Sequence, residues 1–241
     1  MRLPYLTHNG TPAEGLRDSV VFVVYAPLGG DYTLSTYPDG TSNDLIQHPL
    51  VQNLFEVADC GVHVVALVDR VNSDTHLIRI PAAKPTSLQV TSQWKLDMAS
   101  PHTLAGLLRY VGERHPTSDI VLSLEGHGAG FLPEIDRSQL SIRALTDDGK
   151  NMWVIRQQGS VPLPQGSPIL PQGSPILPAD RMPLSTPALG RALQQAVAAG
   201  APKPAVVHFN NCFNMSVEVL HTVAPYAEYA VGYPNYNFFT A

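Results

Sequence analysis

The chain is poor in cysteine: of its 241 residues only Cys60 and Cys212 are thiols. Two thiols exclude a disulfide framework and a four-cysteine zinc site. They fit a reducing compartment and a secreted protein equally, so no localisation follows. Charge is also sparse, with 15% Asp, Glu, Lys and Arg and a formal net charge of -5. Basic residues are scattered singly, so the electrostatic footprint of a nucleic-acid binder is missing. No stretch approaches the roughly 20 apolar residues that cross a bilayer, and no membrane partner is expected. Arg2 is not followed by an apolar run, so no secretory signal peptide is legible in residues 1–18. No acidic cluster has the spacing of a calcium loop, and no metal is expected.

What the chain does have is apolar material, at 44% of residues, enough for a substantial core. Six segments read as strands: 19–26 (SVVFVVYA), 62–68 (VHVVALV), 76–80, 119–125 (DIVLSLE), 205–209 (AVVHF) and 229–233. Apolar runs without alternation suit strands covered on both faces, as in a parallel sheet. Helical patterns lie between them. Pro49 opens one, with Leu50, Leu54 and Val57 on a face and Gly61 at its stop. Ser100 then Pro101 reads as a cap and first turn, followed by Leu104, Leu107, Leu108 and Val111. Thr186-Pro187 repeats that signal before Leu189, Leu193 and Val197, and Gly200 ends it. A fourth helix is expected over residues 215–223. Strands alternating with helices make an α/β layered domain.

Residues 158–178 interrupt the pattern with three tandem heptads, QGSVPLP, QGSPILP and QGSPILP. Pro and Gly in every copy exclude a helix or a central strand. The expectation is a surface insertion, partly polyproline II, within one domain.

Two strand ends carry residues with chemistry. The fourth strand runs into Glu125-Gly126-His127-Gly128-Ala129-Gly130, and the fifth into Phe209-Asn210-Asn211-Cys212. In an open α/β sheet ligands bind beyond the carboxyl ends of the strands. If these strands are parallel neighbours, His127 and Cys212 share one rim. A thiol is a nucleophile once ionised, and an imidazole protonates a leaving group near neutrality. The backbone N–H groups of Gly128 and Cys212 are candidates for an oxyanion hole. From the residues alone, a packed cysteine and a tight glycine turn remain open readings. Cys60 is a lesser candidate nucleophile beside the packed helix end at Asp59-Cys60-Gly61. Asp31 and Asp69 follow the first two strands and read as turn residues. His208 and His221 are not aimed clearly at the rim.

Four blocks, in order, resemble the clostripain-like cysteine peptidases (peptidase family C11). They are VVFVVYAPLGGDYTL at 20–34, LDMASPHTLAGLLRYVGERHPTSDIVLSLEGHGAG at 96–130, LSTPALGRAL at 184–193 and FNNCFNMSVEVLHTVAPYAEYAVG at 209–232. The resemblance implies a caspase-like α/β/α sandwich with a mostly parallel central sheet of about six strands. It implies one peptidase domain over 19–241, after an N-terminal extension at 1–18, interrupted at 158–178 and shortened at its C-terminus. It implies an endopeptidase cutting after Arg or Lys through a cysteine–histidine dyad, with Cys212 as nucleophile and His127 as its partner. Peptide or protein is then the substrate. No cofactor is implied, although some members of the family depend on calcium. Members often cut themselves between these two residues, a stretch that here holds Arg137, Arg143, Lys150, Arg156 and Arg181. The family places a glutamate where Glu218 stands. The chain departs from the family pattern at Asn210, where an aspartate is usual, and at Gly232-Tyr233-Pro234-Asn235. Asn210 keeps a substrate-binding place but removes a charge, which weakens selection of basic side chains. These departures motivate a second expectation: a weakly active or inactive homologue that binds peptides or partners. Nothing in the residues fixes an oligomeric state.

Overall fold

The computed structural model describes residues 19–28, 45–69, 75–82, 89–94, 96–126, 128, 130–133, 140–147, 150–157 and 184–235. The extension at 1–18, the heptad insertion at 158–178, Asp31 and His127 lie outside the described residues.

The strands are β1 (Val20–Pro27), β2 (His63–Asp69), β3 (Thr75–Ile80), β4 (Gln89–Trp94), β5 (Asp119–Glu125), β6 (Leu140–Asp147), β7 (Lys150–Gln157), β8 (Val206–Asn210) and β9 (Tyr229–Gly232). The helices are α1 (Pro49–Asp59), α2 (Pro101–Arg114), α3 (Thr186–Ala198) and α4 (Val217–Val223). Seven strands form one sheet in the order β4-β3-β2-β1-β5-β8-β9, and β6 and β7 pair separately as an antiparallel hairpin. All pairings from β2 to β9 through β1, β5 and β8 are parallel, and β3 turns antiparallel against β2 and β4. The six expected strands are all in this sheet. The seventh, β4, adds an antiparallel edge that its polar sequence QVTSQW does not announce.

The apolar runs of β1, β2 and β5 form buried strands because both faces of the sheet are covered there, whereas β9 lies half-exposed at the edge. Val21, Val23 and Tyr25 pack on one side with Leu104, Leu108, Leu122, Leu189, Leu193 and Phe209, the layer of α2, α3 and α4. Val24 and Ala26 pack on the other with Val51, Leu54, Ala58 and Val64, the layer of α1. Each fully buried side chain of this size contributes roughly 1.5–3 kcal/mol by leaving water.

The helix starts follow local chemistry. Ser100 Oγ accepts from the His102 N–H, and Ser185 Oγ from the Ala188 N–H, each freeing one orphan donor from its penalty. The cap of α3 therefore falls at Ser185, one residue before Thr186, with Pro187 in the first turn. Helix α4 begins at Val217, two residues later than the pattern suggested. Ser216 takes the cap position because its hydroxyl accepts from the Val219 N–H. Gly61 (φ 88°) and Gly200 (φ 88°) stop α1 and α3 as expected.

Candidate active site

Strands β5 and β8 are parallel neighbours, with Glu125 opposite Asn210 at their carboxyl ends. The loop after β5 and the loop after β8 thus leave the same rim of the sheet. His127 lies outside the described residues, so the loop is located by the glycines around it. Gly126 has φ 100°, a left-handed backbone that only glycine adopts without strain. Gly128 lies so close to the second loop that a Cβ there would sit 1.8 Å from the Cys212 carbonyl oxygen and 2.7 Å from its nitrogen. A Cβ on Gly130 would touch the Phe213 carbonyl oxygen at 3.5 Å. The His-Gly loop and the cysteine loop are therefore in backbone contact, although their residues are far apart in sequence.

The cysteine loop is held on both sides. Asn211, 5% exposed, donates from Nδ2 to the Leu124 carbonyl at 3.2 Å, tying the loop to the end of β5. Its Oδ1 accepts from Asn214 Nδ2 at 2.7 Å. The Phe213 N–H donates to the Asn235 carbonyl at 2.9 Å, and the Met215 N–H reaches the Tyr233 carbonyl at 3.4 Å. Phe213 itself has φ 59°, a conformation costing a non-glycine residue on the order of 1 kcal/mol or more. These bonds hold it there, and the backbone turns sharply next to Cys212. Cys212 is half-buried and takes part in no disulfide.

The segment after the His-Gly loop is also anchored. The Leu132 N–H donates to Thr186 Oγ1 at 2.9 Å, and the Thr186 N–H returns a bond to the Leu132 carbonyl at 2.8 Å. The start of helix α3 thus ties down the chain at Leu132.

Beneath the rim runs a polar chain that joins Asn210, expected from the sequence to bind substrate, to Glu125, Ser123 and His208, for which no role was expected. Ser123 Oγ donates to Glu125 Oε1 at 2.5 Å and lies 3.0 Å from His208 Nδ1. Asn210 Nδ2 donates to Glu125 Oε2 at 2.6 Å. Burial pushes the Glu125 carboxyl above its ordinary range, opposed by the bonds from Ser123 and Asn210. Burial holds the His208 imidazole below its ordinary value. The signal was present as polar residues two apart, Ser123 and Glu125 on one strand, His208 and Asn210 on the next.

The lesser candidates fall elsewhere. Cys60 is exposed after α1, three residues before β2 begins, so it lies at the amino-end rim of the parallel strands, opposite the rim that carries Cys212. Asp69 is not a surface turn residue. It ends β2 fully buried, and its Oδ1 accepts from Thr75 Oγ1 at 3.0 Å. Glu218 is exposed in the first turn of α4, and His221 is exposed in its last.

No protein-family model and no characterised protein sequence matches the chain. Solved structures do. A secreted C11 cysteine protease of Bacteroides thetaiotaomicron, "iotapain", aligns with a TM-score of 0.59 at 14% identity, over 91% of this chain and 53% of its own. A secreted C11 cysteine protease of the same organism, in complex with an irreversible peptide inhibitor, aligns with a TM-score of 0.56 at 18% identity. That alignment covers 90% of this chain and 49% of that one. The chain spans about half the length of these structures. Its sheet order, its two helical layers and these alignments agree: the chain has the α/β/α fold of the C11 cysteine proteases.

Proposed function

We propose that the chain is a cysteine endopeptidase. Cys212 passes its thiol proton to His127 and attacks the carbonyl carbon of a peptide bond, and the backbone N–H groups of Gly128 and Cys212 receive the oxyanion. His127 protonates the departing amine, and water then hydrolyses the acyl-enzyme. The observation that carries this reading is the contact of Gly128 with the Cys212 backbone, which brings the histidine's neighbour against the cysteine. The fold likeness to C11 cysteine proteases, one of them bound to a peptide inhibitor, supports a peptide substrate. Asn210, two residues before Cys212, is the substrate-binding residue in this reading. Preference for Arg or Lys is weakened where the family's aspartate is replaced by an amide. Self-processing falls between His127 and Cys212, where basic residues flank the insertion.

A second reading, a peptide- or partner-binding homologue without turnover, is favoured by Asn210 itself. One assay separates the two. Purified chain and its Cys212→Ala variant are incubated with a peptide library carrying every amino acid before the scissile bond. Cleavage lost in the variant supports the peptidase. Binding without cleavage in both supports the second reading. Intact mass of the purified protein reports self-cutting independently.

A further inference from the structure

The sheet face on the α1 side is apolar through β1, with Val24 and Ala26 buried. It becomes polar where β5 meets β8. The register sets Ser123 against His208 and Glu125 against Asn210, so four hydrogen-bonding side chains share one face. Ser123 is fully buried and Glu125 is 7% exposed. Keeping a carboxyl there is costly unless its bonds are specific. Nucleophilic attack, proton transfer and oxyanion binding make no use of it.

The bond from Asn210 suggests its use. While Glu125 is ionised its carboxylate accepts and never donates, so the Asn210 amide turns its NH2 toward it, as the bond at 2.6 Å has it. Its carbonyl oxygen is then turned away. We propose that Glu125 is a positioning residue that fixes the Asn210 amide with its oxygen directed away from Glu125, so that the subsite beside Cys212 takes a substrate side chain that donates hydrogen bonds, an amide or a cation. This rests on the reading that Asn210 contacts substrate.

The coupling is pH-dependent. Once Glu125 binds a proton it gains a donor, and its bond to Asn210 can reverse. The one titratable group reaching Glu125 among the described residues is His208, through Ser123; β1 presents Val24 and Ala26 on this face.

Two readouts test the proposal. The first is the pair of Asn210 side-chain amide signals in proton–nitrogen NMR, assigned by their loss in Asn210→Ala. They are expected to shift as Glu125 titrates, and to stop doing so in Glu125→Gln. Signals indifferent to pH overturn the proposal, whether or not the chain cleaves peptides. The second is kcat/KM on peptides with Arg, citrulline, Gln or norleucine before the scissile bond. Glu125→Gln is expected to lower the ratio of donor side chains to norleucine about tenfold. Adding Asn210→Asp exchanges carboxylate and amide, and is expected to restore the ratio. A ratio unchanged by Glu125→Gln but changed by Asn210→Ala overturns the positioning role alone. A ratio unchanged by both, with Cys212-dependent cleavage intact, removes Asn210 from the subsite and the proposal with it.

Discussion

At the residue scale the strongest constraint is Gly128. Any side chain there must displace the backbone of Cys212, since the nearest oxygen would be 1.8 Å from the new Cβ. Gly128→Ala is therefore expected to cost about 1–3 kcal/mol of stability, as overpacking does. It is also expected to lower kcat/KM about 100-fold, the loss typical of a displacement near 1 Å at a reacting centre. Gly106 in α2 is the matched control, because a Cβ there meets nothing within 4 Å. Gly106→Ala is expected to leave kcat/KM unchanged and to stabilise by about 0.5–1 kcal/mol, the ordinary helix difference between the two residues. Urea denaturation and steady-state kinetics on both variants check the pair. At this scale the sequence was partly legible. Glycines beside a histidine, and a cysteine at a strand end, marked where to look. The contact between them was not legible, because only the register of β5 against β8 creates it.

At the scale of elements, the long-range work is done by β5, β8 and the loops that leave them. Phe209 is fully buried and immediately precedes Asn210, so the position of the cysteine loop depends on its packing. Phe209→Ala is expected to destabilise by about 3–5 kcal/mol, measured by chemical denaturation. The inner strands β1, β2 and β5 were legible because burial on both faces demands a mostly apolar run, while β9, an exposed edge strand, was legible from its short β-branched and aromatic stretch. Strand β4 and the β6–β7 hairpin were not read in advance. β4 is an edge strand of mostly polar sequence, and edges carry no such demand. The hairpin did leave a signal in Asp148-Gly149, a dipeptide suited to a two-residue turn, between two stretches of mixed polarity. The polar chain through Ser123, Glu125, His208 and Asn210 escaped for a different reason. Each residue looks like an isolated interruption of an apolar strand until the strands are laid side by side.

At the scale of the whole molecule, buried Glu125 and half-buried His208, linked through Ser123, tie stability to pH. Glu125 is raised from its ordinary 4.5, so the folded state binds its proton more tightly than the unfolded state does. Its contribution is complete below pH 4.5 and is lost as pH rises through the higher folded value. His208 is lowered from its ordinary 6.5. Its contribution is complete above pH 6.5 and is lost as pH falls through the lower folded value. The two slopes oppose each other in mildly acidic solution. Glu125→Gln removes the first and is expected to leave a stability that only falls on acidification across this window. His208→Gln is expected to leave the reverse. Thermal midpoints measured from pH 4 to pH 8 on the three proteins check the signs.

The central claim is that Cys212 is a nucleophile served by the His127 loop. The direct measurement is covalent labelling by a peptidyl acyloxymethyl ketone, followed by mass analysis of the intact chain and its fragments. The predicted result is a single adduct on the fragment containing Cys212, absent in Cys212→Ala and formed far more slowly in His127→Ala. A folded chain that takes no label, or takes it at Cys60 instead, contradicts the account.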